Sequence, residues 1–418
     1  MAKKPRDAGR DRARNGSAPA HVEEVAIDLM AGGEQRSRIV VFSDIEMGGG
    51  GPADDFPHTP FLGELMTAYL DGPDADLPVD FVFNGDTFDF LKVSYQGAFP
   101  KHISAEVALG KVESVAAAHP KFFEAVRAVV EHPSGNKRVF FVVGNHDFEL
   151  LFPEVQQRLR EHCGGSEHVI FPGFDLMLGS VYLAHGCQVD PVYRMDVNRL
   201  FVEHNGEKIL NIPWAAVTIL DVAMPLQDLL YHHDRLRPKA KALELLPEFR
   251  EVMSAKLWNY WQKVYWKDFR AKDPVHKISW SMVREAFRRS KTADADLELA
   301  DDWTDELLDH DEVQAIVVGH LHRNTWVEYE GKKVIQLGCF RDEYWIRDEG
   351  RVLEPRLKPY LEFDLRGGRL MHAKFLEVQG PARKPGTYPE SIFDVVPKLR
   401  EMLARIKPNP RSAVGDDL

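Results

Sequence analysis

Five short blocks carry side chains that can do chemistry: Ser43-Asp44-Ile45-Glu46, Asn84-Gly85-Asp86, Gly144-Asn145-His146-Asp147, His185-Gly186 and Gly319-His320-Leu321-His322. Carboxylates, an amide and imidazoles in one set suit divalent cations such as Mn²⁺, Fe²⁺ or Zn²⁺. A single ion would leave donors unused, and the set is large enough for two. A pair of cations neutralises phosphate oxygens and activates water during in-line displacement, so phosphoester hydrolysis is the natural use of these residues.

Each block follows a short β-branched or aromatic run, at residues 38–42, 81–83, 139–143, 181–184 and 316–318. Runs of this kind bounded by polar turns predict buried strands. An uninterrupted run such as Val139-Phe140-Phe141-Val142-Val143 predicts burial on both faces, with helices packed outside the sheet, and hence an α/β class. Residues beyond the carboxyl ends of strands converge in such folds, which lets distant blocks share one pocket. Between residues 191 and 310 glycine is rare, strand-like runs vanish, and helical stretches at 239–269 and 279–290 predict a large helical insertion. Strand signals return at 325–329, 333–337, 360–364 and 370–376, and a final helix is expected over 391–406.

The blocks resemble the signature of the calcineurin-like metallophosphoesterases, which is D-x-H, then GD, GNH[DE], a lone His and GHxH. Four of the five match in order, over residues 38–184 and 316–376. The resemblance implies a two-sheet β-sandwich flanked by helices, formed by residues 37–190 and 311–380. It leaves a flexible basic tail at 1–36, an insertion or lid at 191–310, and a C-terminal helix and tail at 381–418. By position it implies that Asp44, Asp86 and His322 hold one metal, and that Asp86, Asn145, His185 and His320 hold the other, with Asp86 bridging. The ions would be Mn²⁺, with Fe²⁺, Zn²⁺ or Mg²⁺ as alternatives, and a metal-bridging hydroxide would be the nucleophile. His146 is implied to contact the substrate phosphate and assist the leaving oxygen, with Asp147 orienting its ring.

The departure from the signature is Glu46, where the family has histidine. A glutamate still coordinates, and as a harder ligand it favours Mn²⁺ or Mg²⁺, or else leaves the first metal weakly held. Asp89 is read as an N-cap, or as a further ligand or a partner behind the ligands. The glycines at 48–51 lack the spacing and lysine of a phosphate-cradling P-loop, and no G-x-S-x-G elbow supports a serine hydrolase.

The 53 Lys and Arg against 65 Asp and Glu give a net charge of -12, which argues against a surface built to coat nucleic acid. Three scattered cysteines, Cys163, Cys187 and Cys339, fit a reducing compartment, so a cytoplasmic protein is expected. The basic N-terminus has no apolar stretch after it and does not read as a secretory signal. The most apolar segment, 212–230, is interrupted by Pro213, Asp221 and Pro225 and does not read as a membrane span.

Residues 235–291 nevertheless hold 15 Lys and Arg against six Asp and Glu, together with four of the eight tryptophans. Basic and aromatic residues so mixed suit an anionic membrane surface, a nucleic-acid strand or a bulky phosphorylated substrate, and equally the packing of a helical insertion. Asp190, Tyr193, Arg194 and Arg199 loosely resemble a cluster in the UDP-2,3-diacylglucosamine pyrophosphohydrolases, which implies Tyr193 and Arg194 as substrate contacts and a lipid-linked or nucleotide-linked phosphate as substrate. The competing readings are a nuclease or cyclic-nucleotide phosphodiesterase, and a metal-poor binding platform.

Overall fold

The structure is a computed structural model that describes residues 35–275, 307–383 and 389–406. Residues 1–34 of the expected basic tail, the helix at 279–290 and the end of the chain lie outside the described residues, and Arg36, expected as the tail's last residue, already begins the first strand.

Two sheets face each other. The first has the order β16-β15-β1-β2-β3-β4, from β1 (Arg36–Phe42), β2 (Val79–Asn84), β3 (Lys137–Val142), β4 (Val169–Gly173), β15 (Lys358–Arg366) and β16 (Arg369–Val378). Strands β1 to β4 run parallel, and β15 and β16 close one edge antiparallel. The second sheet is β11-β12-β10-β6-β5, from β5 (Asp175–Leu178), β6 (Val181–Ala184), β10 (Ala315–Val318), β11 (Thr325–Tyr329) and β12 (Lys332–Gln336). Its central strands β6, β10 and β12 are parallel, so their carboxyl ends share one side.

The pleat sorts the first sheet's residues between two cores. Ile39, Val41, Val82, Phe140 and Val142 meet Leu183, Val317 and Ile335 between the sheets. Their alternates Val40, Phe42, Phe81, Phe83, Val139 and Phe141 face the helices outside. Side chains alternate along a strand, so a sheet buried on both faces needs the unbroken apolar runs seen here. Phe42, Phe83 and Phe141 fall in register across β1, β2 and β3 and stack at 5.8 and 5.1 Å.

The outer layer is α1 (Thr59–Thr67), α2 (Ala105–Ala118), α3 (Pro120–Val130) and α4 (Pro153–His162). Proline at the first turn starts α1, α3 and α4, and Ser104 accepts from the Val107 N–H to cap α2. In α3, Phe122, Val126 and Val129 form the helical-period stripe that lands on the sheet.

The segment after residue 190 differs from its sequence-based expectation in two places. It contains a hairpin, β7 (Phe201–His204) and β8 (Glu207–Leu210), and a short strand β9 (Leu236–Arg237). Asn205 and Gly206 both have positive φ, 51° and 83°, the conformation of a tight two-residue hairpin turn. The long helix expected over 239–269 breaks at Pro247 into Lys239–Leu245 and Pro247–Asn259, followed by a π-helical stretch Tyr260–Tyr265 and a helix Trp266–Ala271.

Strand β9 pairs with β13 (Tyr344–Arg347), which pairs with β14 (Val352–Pro355) in a small third sheet. Leu236, Phe249, Val252, Tyr344, Ile346 and Leu399 share a core there, which ties the segment to the chain's last described helix, Val396–Ile406.

Candidate metal centre

The loops after β1, β2, β3, β6 and β10 meet at one end of the sandwich. Backbone bonds sew them together: Asp44 N–H to the Gly85 carbonyl at 3.2 Å, Glu46 N–H to the Asp86 carbonyl at 2.9 Å, and Gly319 N–H to the His185 carbonyl at 2.9 Å. The last of these closes the second sheet's own loops, and the His320 N–H, 3.2 Å from Asp44 Oδ1, carries the link across to the first sheet.

Five of the site positions, Asp44, Glu46, Asp86, His320 and His322, hold φ between 49° and 68°. Non-glycine residues rarely sit there, and such conformations concentrate where surrounding structure forces a side chain into a site. Glycine is required beside them for lack of room. A Cβ on Gly144 would fall on the Asp86 carboxylate, and one on Gly319 would fall on Ser43 Oγ and Asp44 Oδ2.

Asp86 is the common member of two groups whose donor atoms all lie within 4.8 Å of one another, Asp44-Asp86-His185 and Glu46-Asp86-His146. His185 Nε2 lies 3.0 Å from Asp86 Oδ2 and 3.2 Å from Asn145 Oδ1, while its Nδ1 faces the Asn84 carbonyl at 3.0 Å. His322 Nε2 lies 3.2 Å from Asp44 Oδ1, and its Nδ1 faces Glu343 Oε1 at 2.9 Å. A ring held on one nitrogen by a carboxylate presents the other to a metal in a fixed orientation. The His320 ring meets that of His185 edge-on at 5.3 Å, but its Nε2 faces Asp190 Oδ2 at 3.0 Å.

Asp147 does not orient His146. Its Oδ1 accepts from the Gly144 N–H at 2.6 Å and its Oδ2 from the Thr87 N–H at 2.8 Å, so it staples the loops after β2 and β3. Burial, then the charge of Asp86, push its carboxyl up to about 7. The partner of the His146 ring is Asp89, whose Oδ1 lies 2.8 Å from Nδ1 and also accepts from the Lys92 N–H as an N-cap. Burial opposes a charge on His146, but Asp89, Asp86 and Glu46 outweigh it and raise its pKa to about 10.

A network of buried charges that the sequence reading missed lies behind the centre. Glu46 Oε2 accepts from Arg341 Nη1 at 2.5 Å and Lys92 Nζ at 3.2 Å. Burial still holds the Glu46 pKa above its ordinary value, against the pull of Arg341 and Lys92. Arg341 and Glu343 lie just past β12, a parallel strand end like the others, and that position was the signal available in the sequence.

Of these groups Glu46, Asp86, Lys92, Asn145, His146, His320, His322 and Arg341 line a cleft of about 1010 Å³. Ile219, Ala223, Met224 and Phe249 bring apolar surface to the same cleft, next in sequence to its polar residues Gln227, His233 and Asp234. Ile219 and Ala223 lie on a π-helical stretch, Ile219–Ala223, a form found often at functional sites. Tyr193 lines the cleft and meets the His320 ring edge-on at 5.2 Å. Arg194 does not line it. The turn that closes on the Asp190 carbonyl leaves Arg194 exposed, and the guanidinium groups in the cleft are those of Arg237, Arg323, Arg341 and Arg356.

The chain is similar to several solved structures at low identity. A dimetal phosphatase from Danio rerio is 11% identical, with 82% of this chain and 99% of that one covered and a TM-score of 0.30. Vacuolar protein sorting 29 from Cryptosporidium parvum is 11% identical over 82% and 98%, with a TM-score of 0.28. The phosphopantetheinyl hydrolase of Mycobacterium tuberculosis is 13% identical over 73% and 91%, with a TM-score of 0.24. No protein-family model matches the chain, and no curated protein matches it.

Proposed function

We propose that the protein is a phosphoesterase that works with two divalent cations. The observation that carries this is Asp86, a buried carboxylate shared by two donor groups at converging strand ends. The donor chemistry fits two ions: Asp44, Glu46, Asp86 and His322 would hold one, and Asp86, Asn145, His185 and His320 the other. When bound, the ions would supply Lewis acidity, charge neutralisation at phosphate and activation of water.

The chain's own residues do the rest. His146, held on Nδ1 by Asp89, presents its other nitrogen as a proton donor for a leaving oxygen. Arg237, Arg323 and Arg356 bring positive charge to the cleft for further anionic groups of the substrate. The hard oxygen donor Glu46 favours Mn²⁺.

The apolar lining residues Ile219, Ala223, Met224 and Phe249 support a substrate whose phosphate is linked to a lipid or another bulky group. Exposed Trp258, Trp266 and Phe269, at 65, 49 and 56%, interleave in sequence with Lys256, Lys263, Lys267 and Arg270 and support peripheral contact with an anionic membrane. No described helix is long and apolar enough to cross a membrane.

The test is elemental analysis of protein from Mn-supplemented cells, together with hydrolysis of aryl phosphate mono- and diesters, using Asp86→Ala as control. Two metals per chain and turnover, both lost in a folded Asp86→Ala, are expected. Wild-type-like turnover in that variant would refute the reading.

A further inference from the structure

Glu46 stands where a histidine would complete the pattern of ligands, and the structure shows what accompanies the change. Its carboxylate is 1% exposed and its two oxygens have different neighbours. Oε2 is taken by Arg341 Nη1 and Lys92 Nζ, at 2.5 and 3.2 Å. Oε1 faces the other way, 3.6 Å from His322 Nε2, on the side of Asp44.

A carboxylate in place of a neutral imidazole adds one negative charge to a buried site, and a buried charge is tolerated only when it is paired. The neighbouring acids have cations of their own. Asp55 is paired with Arg235, Glu343 with Arg237 and Arg356, and Asp234 with Lys239 at 3.2 Å besides Arg341. Arg341, itself 1% exposed, is shared among Glu46 at 2.5 Å, Asp234 at 2.9 Å, and Asp55 and Glu343 at 3.3 Å each, and its shortest contact is the one to Glu46 Oε2.

Resting on the phosphoesterase reading above, we propose that Arg341 and Lys92 are positioning residues that cancel the charge of Glu46 and hold its Oε2. Glu46 then serves the first cation through Oε1 alone, as a hard, charge-compensated replacement for an imidazole. The glutamate at position 46 and the arginine at 341 form one unit: changing the acid alone removes the carboxylate that stands between the two buried cations and the metal, although Asp55 and Asp234 still face both of them.

The experiment is Mn²⁺ titration by calorimetry with elemental analysis, on the full chain and on Glu46→His, Arg341→Met and the double variant. The wild type is expected to hold two ions. Glu46→His should keep the ion of the Asn145, His185 and His320 position and bind the other at least about tenfold more weakly, because the site loses one negative charge while Arg341 and Lys92 remain beside it. The double variant should regain at least half of that loss on a logarithmic scale, although each single change removes a contact. Glu46→His combined with Arg341→Lys keeps the cation and should stay as weak as Glu46→His, which also serves if the methionine variant fails to fold.

Unchanged affinity in Glu46→His would overturn the inference while leaving the phosphoesterase reading intact. So would a double variant no tighter than Glu46→His, or recovery by lysine equal to recovery by methionine. A wild type that binds no metal would overturn both.

Discussion

Asp89→Asn isolates the proton donor from the metal ligands. Asparagine keeps an oxygen where Oδ1 accepts from the Lys92 N–H, so the turn after β2 remains capped. Lys92 loses one partner, at 2.8 Å, but keeps Asp55, Glu46 and Asp234. His146 exchanges a charged acceptor at 2.8 Å for a neutral one. A hydrogen bond to a charged group is worth about 1.5–3 kcal/mol and a neutral one about 0.5–1.5. The difference of about 1–2 kcal/mol corresponds to a roughly five- to thirtyfold loss in kcat where protonated His146 assists the leaving oxygen.

The direction of the pH effect follows from the same contact. Asp89 raises the His146 pKa, so its removal moves the alkaline limb of the pH–rate profile to lower pH. The assay is the pH dependence of aryl phosphate hydrolysis at saturating Mn²⁺, with metal content measured alongside. An unshifted alkaline limb, or a loss of rate that tracks a loss of metal, would refute the assignment of Asp89 to His146.

Gly144→Ala should reduce metal content and turnover together in a folded protein, because its Cβ would displace the Asp86 carboxylate; full metal occupancy would contradict the close packing seen there. Met224→Arg in the cleft lining should raise KM for a phosphate ester with an acyl chain while sparing kcat for a small aryl phosphate, and equal effects on both would remove Met224 from acyl-chain binding. His232 is buried, and burial, then Arg235, push its pKa down to about 3. It stays neutral when folded but takes a proton below about pH 6.5 when unfolded, so its contribution is present above that pH and is lost as the pH falls, by about 2 kcal/mol near pH 5. Thermal melts near pH 7 and pH 5 should therefore differ less in His232→Phe than in the wild type, and an identical drop would refute this.

The buried strands and the α/β class were legible because the strands carry the chemistry at their ends and are apolar on both faces, whereas the two-sheet arrangement is implied only by the family resemblance. The run 181–184 coincides with β6, and the other expected strands lie within or overlap the observed ones. The hairpin of β7 and β8 escaped notice although Asn205-Gly206 between two apolar-containing runs is a turn signal, because the helical pattern around it dominated the reading. At the centre, Asp44, Asp86, Asn145, His185 and His322 come together, as the places of their blocks at strand ends predict. The partner of His146 could not be read from sequence, since Asp89 and Asp147 are both within reach of a loop and only the backbone path decides between them. Arg341 was hidden because a cation is not what a search for ligands looks for.

The left-handed backbone at Asp44, Glu46, Asp86, His320 and His322 has a consequence for how this protein could be engineered. Each such position costs about 1–3 kcal/mol, and glycine would relieve much of it. Substitutions that make the chain more heat-resistant should therefore be found at the residues its chemistry needs. A selection for thermal survival alone would drift toward glycine there and return sturdy, inert proteins, so any such selection has to be coupled to turnover or metal retention.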